Sequence, residues 1–386
     1  MDRAVYMDYN ATAPLKASVR EAMAAALEAC GNPSSVHRFG RLARRTVEEA
    51  RARVAALVGA EASEVVFTSS GTEANNLAIR GAGRGRLIVS AVEHDSVLRA
   101  AERAACGAEI APVDRHGVVD PEALAEILDS QPDGGSDGGQ ALVSVMLANN
   151  ETGVIQPVAE AAEIAHARGA LLHCDAVQAA GKIAIEMASL GADLLSLAAH
   201  KMGGPQGAGA LVVRQGIALA AQLAGGGQER GLRAGTENVA AIAGFGAACD
   251  LAGEDLEGQA RLARLRDDLE ARVGAIAPGM KVFGRGARRL ANTSCFTMPG
   301  VSSETQVMAL DLAGIAVSAG AACSSGKVAA SHVLGAMGAA EDETSSAIRV
   351  SLGWRSRRQD IDTFLAAWRG LYARAGAKSA SAAPAA

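Results

Sequence analysis

Leu194-Leu195-Ser196-Leu197-Ala198-Ala199-His200-Lys201-Met202-Gly203-Gly204-Pro205-Gln206-Gly207 is the stretch whose reading sets the architecture of this chain. The apolar run up to Ala199 has the composition of a buried parallel strand, and the Gly/Pro-rich segment after it can continue neither strand nor helix. Lys201 therefore falls at the carboxyl end of a strand, the edge of an open α/β sheet at which ligands bind. A lysine partly desolvated there has a depressed pKa and forms Schiff bases with carbonyl compounds. By itself Lys201 also reads as a solvated loop lysine beside a satisfied histidine, the commoner situation for this residue. The remainder of the chain has to decide between the two.

On both sides of this strand the sequence alternates strand and helix patterns. Strands are expected at Glu64–Thr68, Arg86–Ser90, Leu142–Leu147 and Leu171–Asp175, with Ala210–Val213 as a return strand. Helices are expected over Lys16–Ala29, Arg38–Val58 with Gly59 as C-cap signal, Thr72–Arg80, Ser96–Cys106 and Val158–Arg168. Such alternation implies an α/β fold with a mostly parallel sheet. One long helical stretch is expected from Val239 to about Val273, followed by strands at Asn292–Thr297, Ala316–Ser318 and Arg349–Leu352. We expect a large domain over residues 13–257 and a smaller α+β domain formed by 1–12 and 258–376. Residues 377–386, poor in large apolar groups, are expected to be disordered, and Asp133–Gly139 to form a flexible loop.

Composition narrows the function classes. A net charge of -5, with no long Lys/Arg block, argues against nucleic acid as a partner. No apolar run reaches membrane-spanning length, and the first residues lack a basic then apolar leader, so a cytoplasmic protein is expected. The six cysteines, Cys30, Cys106, Cys174, Cys249, Cys295 and Cys323, lie far apart without zinc-ligand spacing, so no resident metal and no disulfide framework are expected. Cys323 stands apart because its neighbours in Gly320-Ala321-Ala322-Cys323-Ser324-Ser325-Gly326 are small. That is the setting of a mobile reactive thiol and not of a core residue.

Five strand ends carry groups able to meet a ligand. Ser69-Ser70-Gly71-Thr72-Glu73 joins a strand to a helix, where free N–H groups and the Thr72 hydroxyl converge on a potential phosphate site; a plain Thr N-cap is the other reading. His94 ends the next strand, Asn150 another, and Asp175 with Gln178 a third. A carboxylate on a core strand is costly unless paired, and a protonated pyridinium nitrogen is one group that pairs with it, although Asp175 also reads as an N-cap. The series ends at Lys201, and together these groups suggest pyridoxal phosphate (PLP).

Longer motifs make this specific. Gly31-Asn32-Pro33-Ser34-Ser35, Thr68 to Asn76, Ser90 to His94, Ala148 to Gly153, His173 to Gly181, His200-Lys201, Gly225 to Asn238 and Ser318 to Gly326 together resemble cysteine desulfurases of the NifS/IscS type, fold-type I PLP enzymes. The resemblance runs from Tyr6 to about Asp362. It implies that Lys201 carries PLP as a Schiff base and shuttles protons, that His94 stacks on the ring, and that Asp175 pairs with the ring nitrogen. Asn150 and Gln178 would address the ring oxygen, while Gly71, Thr72 and His200 would hold the phosphate, joined by Thr236 from the other subunit of a homodimer. Arg349, with Asn32 and Asn150, would hold the substrate carboxylate.

In that family Cys323 would receive sulfur from L-cysteine as a persulfide and pass it to an acceptor or iron-sulfur scaffold protein. Transient ligation of a nascent cluster by Cys323 is compatible with this. The loop from Cys323 to Ser331 resembles the longer, IscS-like form. Two positions depart from the family pattern: Ala198 stands where a phosphate-binding Ser is usual, and Ala329-Ala330 replaces an acidic-Pro pair. The expected activity is conversion of L-cysteine to L-alanine. A selenocysteine lyase, a kynureninase-like lyase and a non-catalytic PLP-binding scaffold partner are the alternatives.

Overall fold

The computed structural model describes residues 4–130, 141–319 and 330–382, with side chains as far as Ala375. Cys323 and its loop, and the expected loop at Asp133–Gly139, lie outside the described residues. The strands are β1 (Val5–Tyr6), β2 (Val65–Thr68), β3 (Arg86–Ser90), β4 (Glu109–Ala111), β5 (Ala141–Ser144) and β6 (Leu171–Asp175). They continue with β7 (Leu194–Ala198), β8 (Gly209–Val213), β9 (Thr293–Thr297), β10 (Ile315–Ala316), β11 (Ser318–Ala319) and β12 (Ala347–Ser351).

Seven of them form one sheet in the order β2-β8-β7-β6-β5-β3-β4. Only β8 runs against its neighbours, as the expected return strand, with Leu194 opposite Val213 and Ala198 opposite Gly209. Every residue of β2, β5, β6, β7 and β8 is buried, because helices cover both faces. Successive residues go to opposite faces. Val65, Phe67, Val143, Leu172, Leu195, Leu197 and Val212 pack under helices that include Val158–His166 and Val239–Asp250. Val66, Leu87, Val89, Leu142, Leu194 and Leu211 pack under Gly71–Gly81 and Asp95–Glu102.

A second core lies beyond residue 258, where Phe296, Phe364 and Trp368 meet edge to face with Leu269, Val273 and Ile348 around them. Strands β11-β12-β9 are antiparallel here, and β1 pairs in parallel with β10. The N-terminal strand thus joins the C-terminal elements.

Several expected elements differ. The stretch Val239–Val273 is two helices, Val239–Asp250 and Ala252–Ile276, broken at Leu251 where a buried helix gives way to one with a charged outer face. The expected strand Ala316–Ser318 is two short ones, because the chain changes sheet at Val317. The strand read to Leu147 ends at Ser144, and the helix read to Cys106 ends at Glu102. The last helix, Arg358–Ala382, runs past residue 377, where alanine's high helix propensity outweighs the scarcity of large apolar groups. Two helices passed over in the sequence, Pro121–Asp129 and Ser303–Leu312, carry recognisable N-caps in Asp120 and Ser302.

Candidate active site

The sheet order places the chemistry. Lys201 follows β7, Asp175 ends β6, Asn150 follows β5 and His94 follows β3, so the groups stand on four consecutive strands at one edge. Strand β2 is parallel to β7, both being antiparallel to β8, and delivers Gly71 and Thr72 to the same edge. The chain turns after β7 in a single 3-10 turn, Ala199–Lys201.

Asp175 lies on a fully buried strand, and both its oxygens are held. Asn75 Nδ2 donates to Oδ2 at 2.7 Å and Val177 N donates to Oδ1 at 2.9 Å. The helix N-cap reading does not hold, because a turn and not a helix follows Asp175; the Val177 bond closes that turn, and Asn75 is a second donor. Asn75 Nδ2 also donates to Ser96 Oγ at 2.8 Å, tying β6 to the helix behind His94.

Lys201 Nζ donates to the carbonyls of Asn10 at 2.6 Å and Ala11 at 2.9 Å. Burial, aided by the Arg349 charge and opposed by Asp8 and Asp175, lowers its pKa to about 8. About a fifth of the amine is then neutral near pH 7.4, against roughly a thousandth at the ordinary lysine value, which supplies the free base that a nucleophile and proton acceptor requires. His200 Nδ1 lies 3.2 Å from Thr12 Oγ1, and burial together with Lys201 lowers its pKa to about 4, so its imidazole is neutral.

Helix Gly71–Gly81 begins with N–H groups that have no intrahelical partner. Ser70, not Thr72, is the N-cap: its Oγ accepts from Glu73 N at 3.1 Å. Thr72 is exposed in the first turn, and its hydroxyl has no partner among the described residues at the helix start. A Cβ at Gly71 would come within 2.7 Å of Val177 Cγ2, so the site's floor closes against this turn only with glycine present. Ala198 is buried, its methyl facing the same turn.

Arg349 comes from β12, in the second core. Its Nη2 donates to Asp8 Oδ1 at 2.8 Å and Ser318 Oγ at 3.0 Å, its Nη1 to the Asn150 carbonyl at 3.1 Å, and its buried Nε has no partner among the described residues. Asn32 is not joined to Arg349: its Oδ1 accepts from Ser34 N at 2.9 Å within its own loop. Thr236 is exposed on the segment after the 3-10 turn Gln228–Gly231. In that turn Glu229 and Arg230 take left-handed φ values of 45° and 58°. The buried pair of Glu229 with Arg51, at 2.6 Å, holds it.

His94 caps helix Asp95–Glu102, its Nδ1 taking a 3.1 Å bond from Ser96 N, and burial lowers its pKa below the ordinary histidine value. Four residues that the sequence reading did not single out join this set. Glu93, fully buried, accepts from Ser90 Oγ and Met146 N; a carboxylate next to a strand-end histidine was its signal. Asp8 pairs with Arg349. Asn10 ties elements of the two cores together, its N donating to Ser351 Oγ and its Nδ2 to Thr293 Oγ1 and the Asn150 carbonyl. Lys182 donates to Asn10 Oδ1 at 2.9 Å and Gln178 Oε1 at 2.7 Å. Gln178 Nε2 in turn donates to the Asn10 carbonyl at 2.9 Å.

The set fits PLP. It offers an amine of lowered pKa for an aldehyde, a two-point-anchored carboxylate on the neighbouring strand for a pyridinium, and a glycine-floored helix start for a phosphate.

A family model for class-V aminotransferases matches residues 5–364. The chain is 41% identical over 373 residues to cysteine desulfurase IscS of Dictyoglomus turgidum, covering 94% of this chain and 93% of that one. It is 44% identical over 372 residues to a cysteine desulfurase of Cereibacter sphaeroides, covering 94% of each. The solved structure of a NifS-like protein from Rickettsia africae aligns with a TM-score of 0.88 at 35% identity, covering 96% of this chain and all of the other. A structure described as SspA in complex with cysteine aligns with a TM-score of 0.77 at 29% identity over 90% of this chain and 98% of that one. With the amine, carboxylate and helix start where a PLP enzyme needs them, the chain belongs to the PLP-dependent class-V aminotransferase family, alongside cysteine desulfurases of the IscS and NifS type.

Proposed function

We propose that this protein is a PLP-dependent cysteine desulfurase in which Lys201 and Cys323 carry the two halves of the reaction. The observation that carries this reading is the pairing of Lys201 and Asp175 on adjacent strands, one amine of lowered pKa and one buried carboxyl group fixed by two donors. The relatives named cysteine desulfurase, and one solved relative described with cysteine, support the substrate.

PLP supplies the carbonyl that captures the substrate amine and the electron sink that acidifies its Cα–H. Arg349 receives the substrate carboxylate, for which its buried Nε is a waiting donor. The Lys201 amine takes the Cα proton and, protonated, returns one toward Cβ. Asp175 would pair with the ring nitrogen, and His94, its pKa lowered by burial, accepts a thiol proton. Gly71, Thr72 and His200 would hold the phosphate with Thr236 from a second subunit, while Asn150 and Gln178 would address the ring oxygen.

The Cys323 thiolate attacks the substrate sulfur: its S–S bond forms as the Cβ–Sγ bond breaks. Cβ is reduced and takes a proton, the two sulfurs share the oxidation, and the products are L-alanine and a Cys323 persulfide. Cys174, Cys249 and Cys295 are buried, with thiols pushed well above their ordinary pKa by burial, which makes them poor nucleophiles. A homodimer in the cytoplasm that hands sulfur to an acceptor or iron-sulfur scaffold protein completes the reading, and the exposed Thr236 is in keeping with a role across subunits.

The test is to add L-cysteine to the purified holoenzyme and follow the visible cofactor band, alanine and trapped persulfide together. The band shifts and alanine forms in step with persulfide. A band that ignores cysteine, or turnover without alanine, removes the proposal.

A further inference from the structure

Lys182 is a buried lysine, 8% exposed, with no carboxylate among its hydrogen-bond partners. It sits four residues after Gln178 in the turn that follows β6 and lines a cleft shared with Lys201, Glu254, Asp255 and Arg261. Burying an ammonium without an anion is costly. Burial and the charges of Lys201 and Arg349 push its pKa well below the usual lysine range. Across the cleft Asp255 is engaged by Lys16 at 2.5 Å. A residue this costly, two hydrogen bonds from Lys201, calls for a function beyond packing.

Its two bonds suggest one. Both partners are amide oxygens, Asn10 Oδ1 and Gln178 Oε1. The ammonium form has donors only, and the neutral amine still has two N–H groups, one for each oxygen. Asn292 Nδ2, 3.0 Å from Asn10 Oδ1, independently requires an oxygen at that place. With Oε1 pinned, Gln178 must turn its NH2 the other way. There it donates to the Asn10 carbonyl, the same oxygen that accepts from Lys201 Nζ.

We propose that Lys182 is a positioning residue that locks the amide of Gln178 so that it presents a donor, never an acceptor, on the Lys201 side where the cofactor's ring oxygen lies. An amide free to flip would place its own oxygen against an anionic ring oxygen for part of the time. Locking removes that state. This inference rests on the proposed function, in which Gln178 faces that oxygen.

The experiment is a double-mutant cycle of Lys182→Met and Gln178→Ala, read by PLP titration of the apo-protein and by the pH at which the visible band of the holoenzyme converts. A lost donor leaves more charge on the ring oxygen and holds the neighbouring proton to higher pH. Lys182→Met should therefore raise the conversion midpoint by about one pH unit and weaken PLP binding about tenfold, the scale of one hydrogen bond to a charged acceptor. In the Gln178→Ala background the same substitution should change neither quantity, because there is no amide left to orient. Equal shifts in both backgrounds would mark a plain charge effect and overturn the proposal, as would no shift in Lys182→Met. If Met at 182 prevents folding, Lys182→Leu, which likewise has no donor, is run through the same cycle with the same two outcomes. Absence of any Lys201-dependent band in the wild type would instead refute the proposed function.

Discussion

Glu93→Gln offers a sharp test of the electrostatics behind this site. Burial, reinforced by the nearby Asp175 charge, raises the Glu93 pKa from 4.5 to about 8, against the opposing bonds from Ser90 and Met146. The folded protein therefore keeps Glu93 protonated at neutral pH, while the unfolded chain releases the proton. Because the folded pKa is the raised one, its contribution to stability is whole below pH 4.5 and is lost as pH climbs toward 8. Linkage puts the loss at roughly 1 kcal/mol near pH 5 and about 4 kcal/mol near pH 7.5, a difference of about 3 kcal/mol.

Glutamine keeps the carbonyl oxygen that accepts from Ser90 Oγ at 2.7 Å and Met146 N at 2.6 Å, and it cannot ionise. Denaturant unfolding of apo-protein at fixed concentration, for wild type and variant, should show Glu93→Gln gaining about 3 kcal/mol relative to wild type between those two pH values. Any pH-independent cost of the amide appears equally at both. A stability difference that does not change with pH would refute the assignment of a neutral Glu93.

The remaining predictions concern the reaction. Lys201→Ala should leave a folded protein, because the side chain reaches two carbonyls at a cleft edge and fills no core, yet abolish alanine formation; desulfurase activity in the purified variant would sink its role. Cys323→Ser should keep the cysteine-induced change of the cofactor band and lose nearly all alanine and sulfide, since a hydroxyl is no substitute for a soft nucleophile at neutral pH. Undiminished alanine from Cys323→Ser alongside its loss in Cys30→Ser, Cys106→Ser or Cys295→Ser would move the nucleophile elsewhere. Ala198→Ser places a hydroxyl beside the helix start at Gly71 and should tighten PLP by about one to two decades, the roughly 1.5–3 kcal/mol of a hydrogen bond to a charged group. The measurement is PLP titration of apo-protein in a Lys201→Ala background, and unchanged affinity would show another donor already serving the phosphate.

Local sequence was enough for six of the seven strands of the large sheet because they are almost wholly buried and read as apolar runs; the partly exposed edge strand β4 (Glu109–Ala111), three residues long and beginning with a glutamate, was not read. Leu171–Asp175 appears with the bounds expected, and the run read up to Ala199 is a strand from Leu194 to Ala198. The short strands around Val317 and the break at Leu251 were not legible, since two-residue pairings and a helix reorientation are chosen by distant partners and leave no period in the chain. The strand ends bearing His94, Asn150, Asp175 and Lys201 could be read one by one, each from a polar group closing an apolar run.

What the sequence by itself determined is the inventory: an α/β chain with an amine, a carboxylate, an imidazole and a helix start at successive strand ends. Only the tertiary structure decided which of these face one another and in what state. The order β7-β6-β5-β3 brings the groups to one edge, and β12 carries Arg349 to them from 148 positions beyond Lys201. Asn10, Lys182 and Glu93 look like ordinary polar residues in the chain. Their importance comes from burial, which makes each unpaired polar atom costly and each available hydrogen bond decisive, and burial is a property of the whole fold.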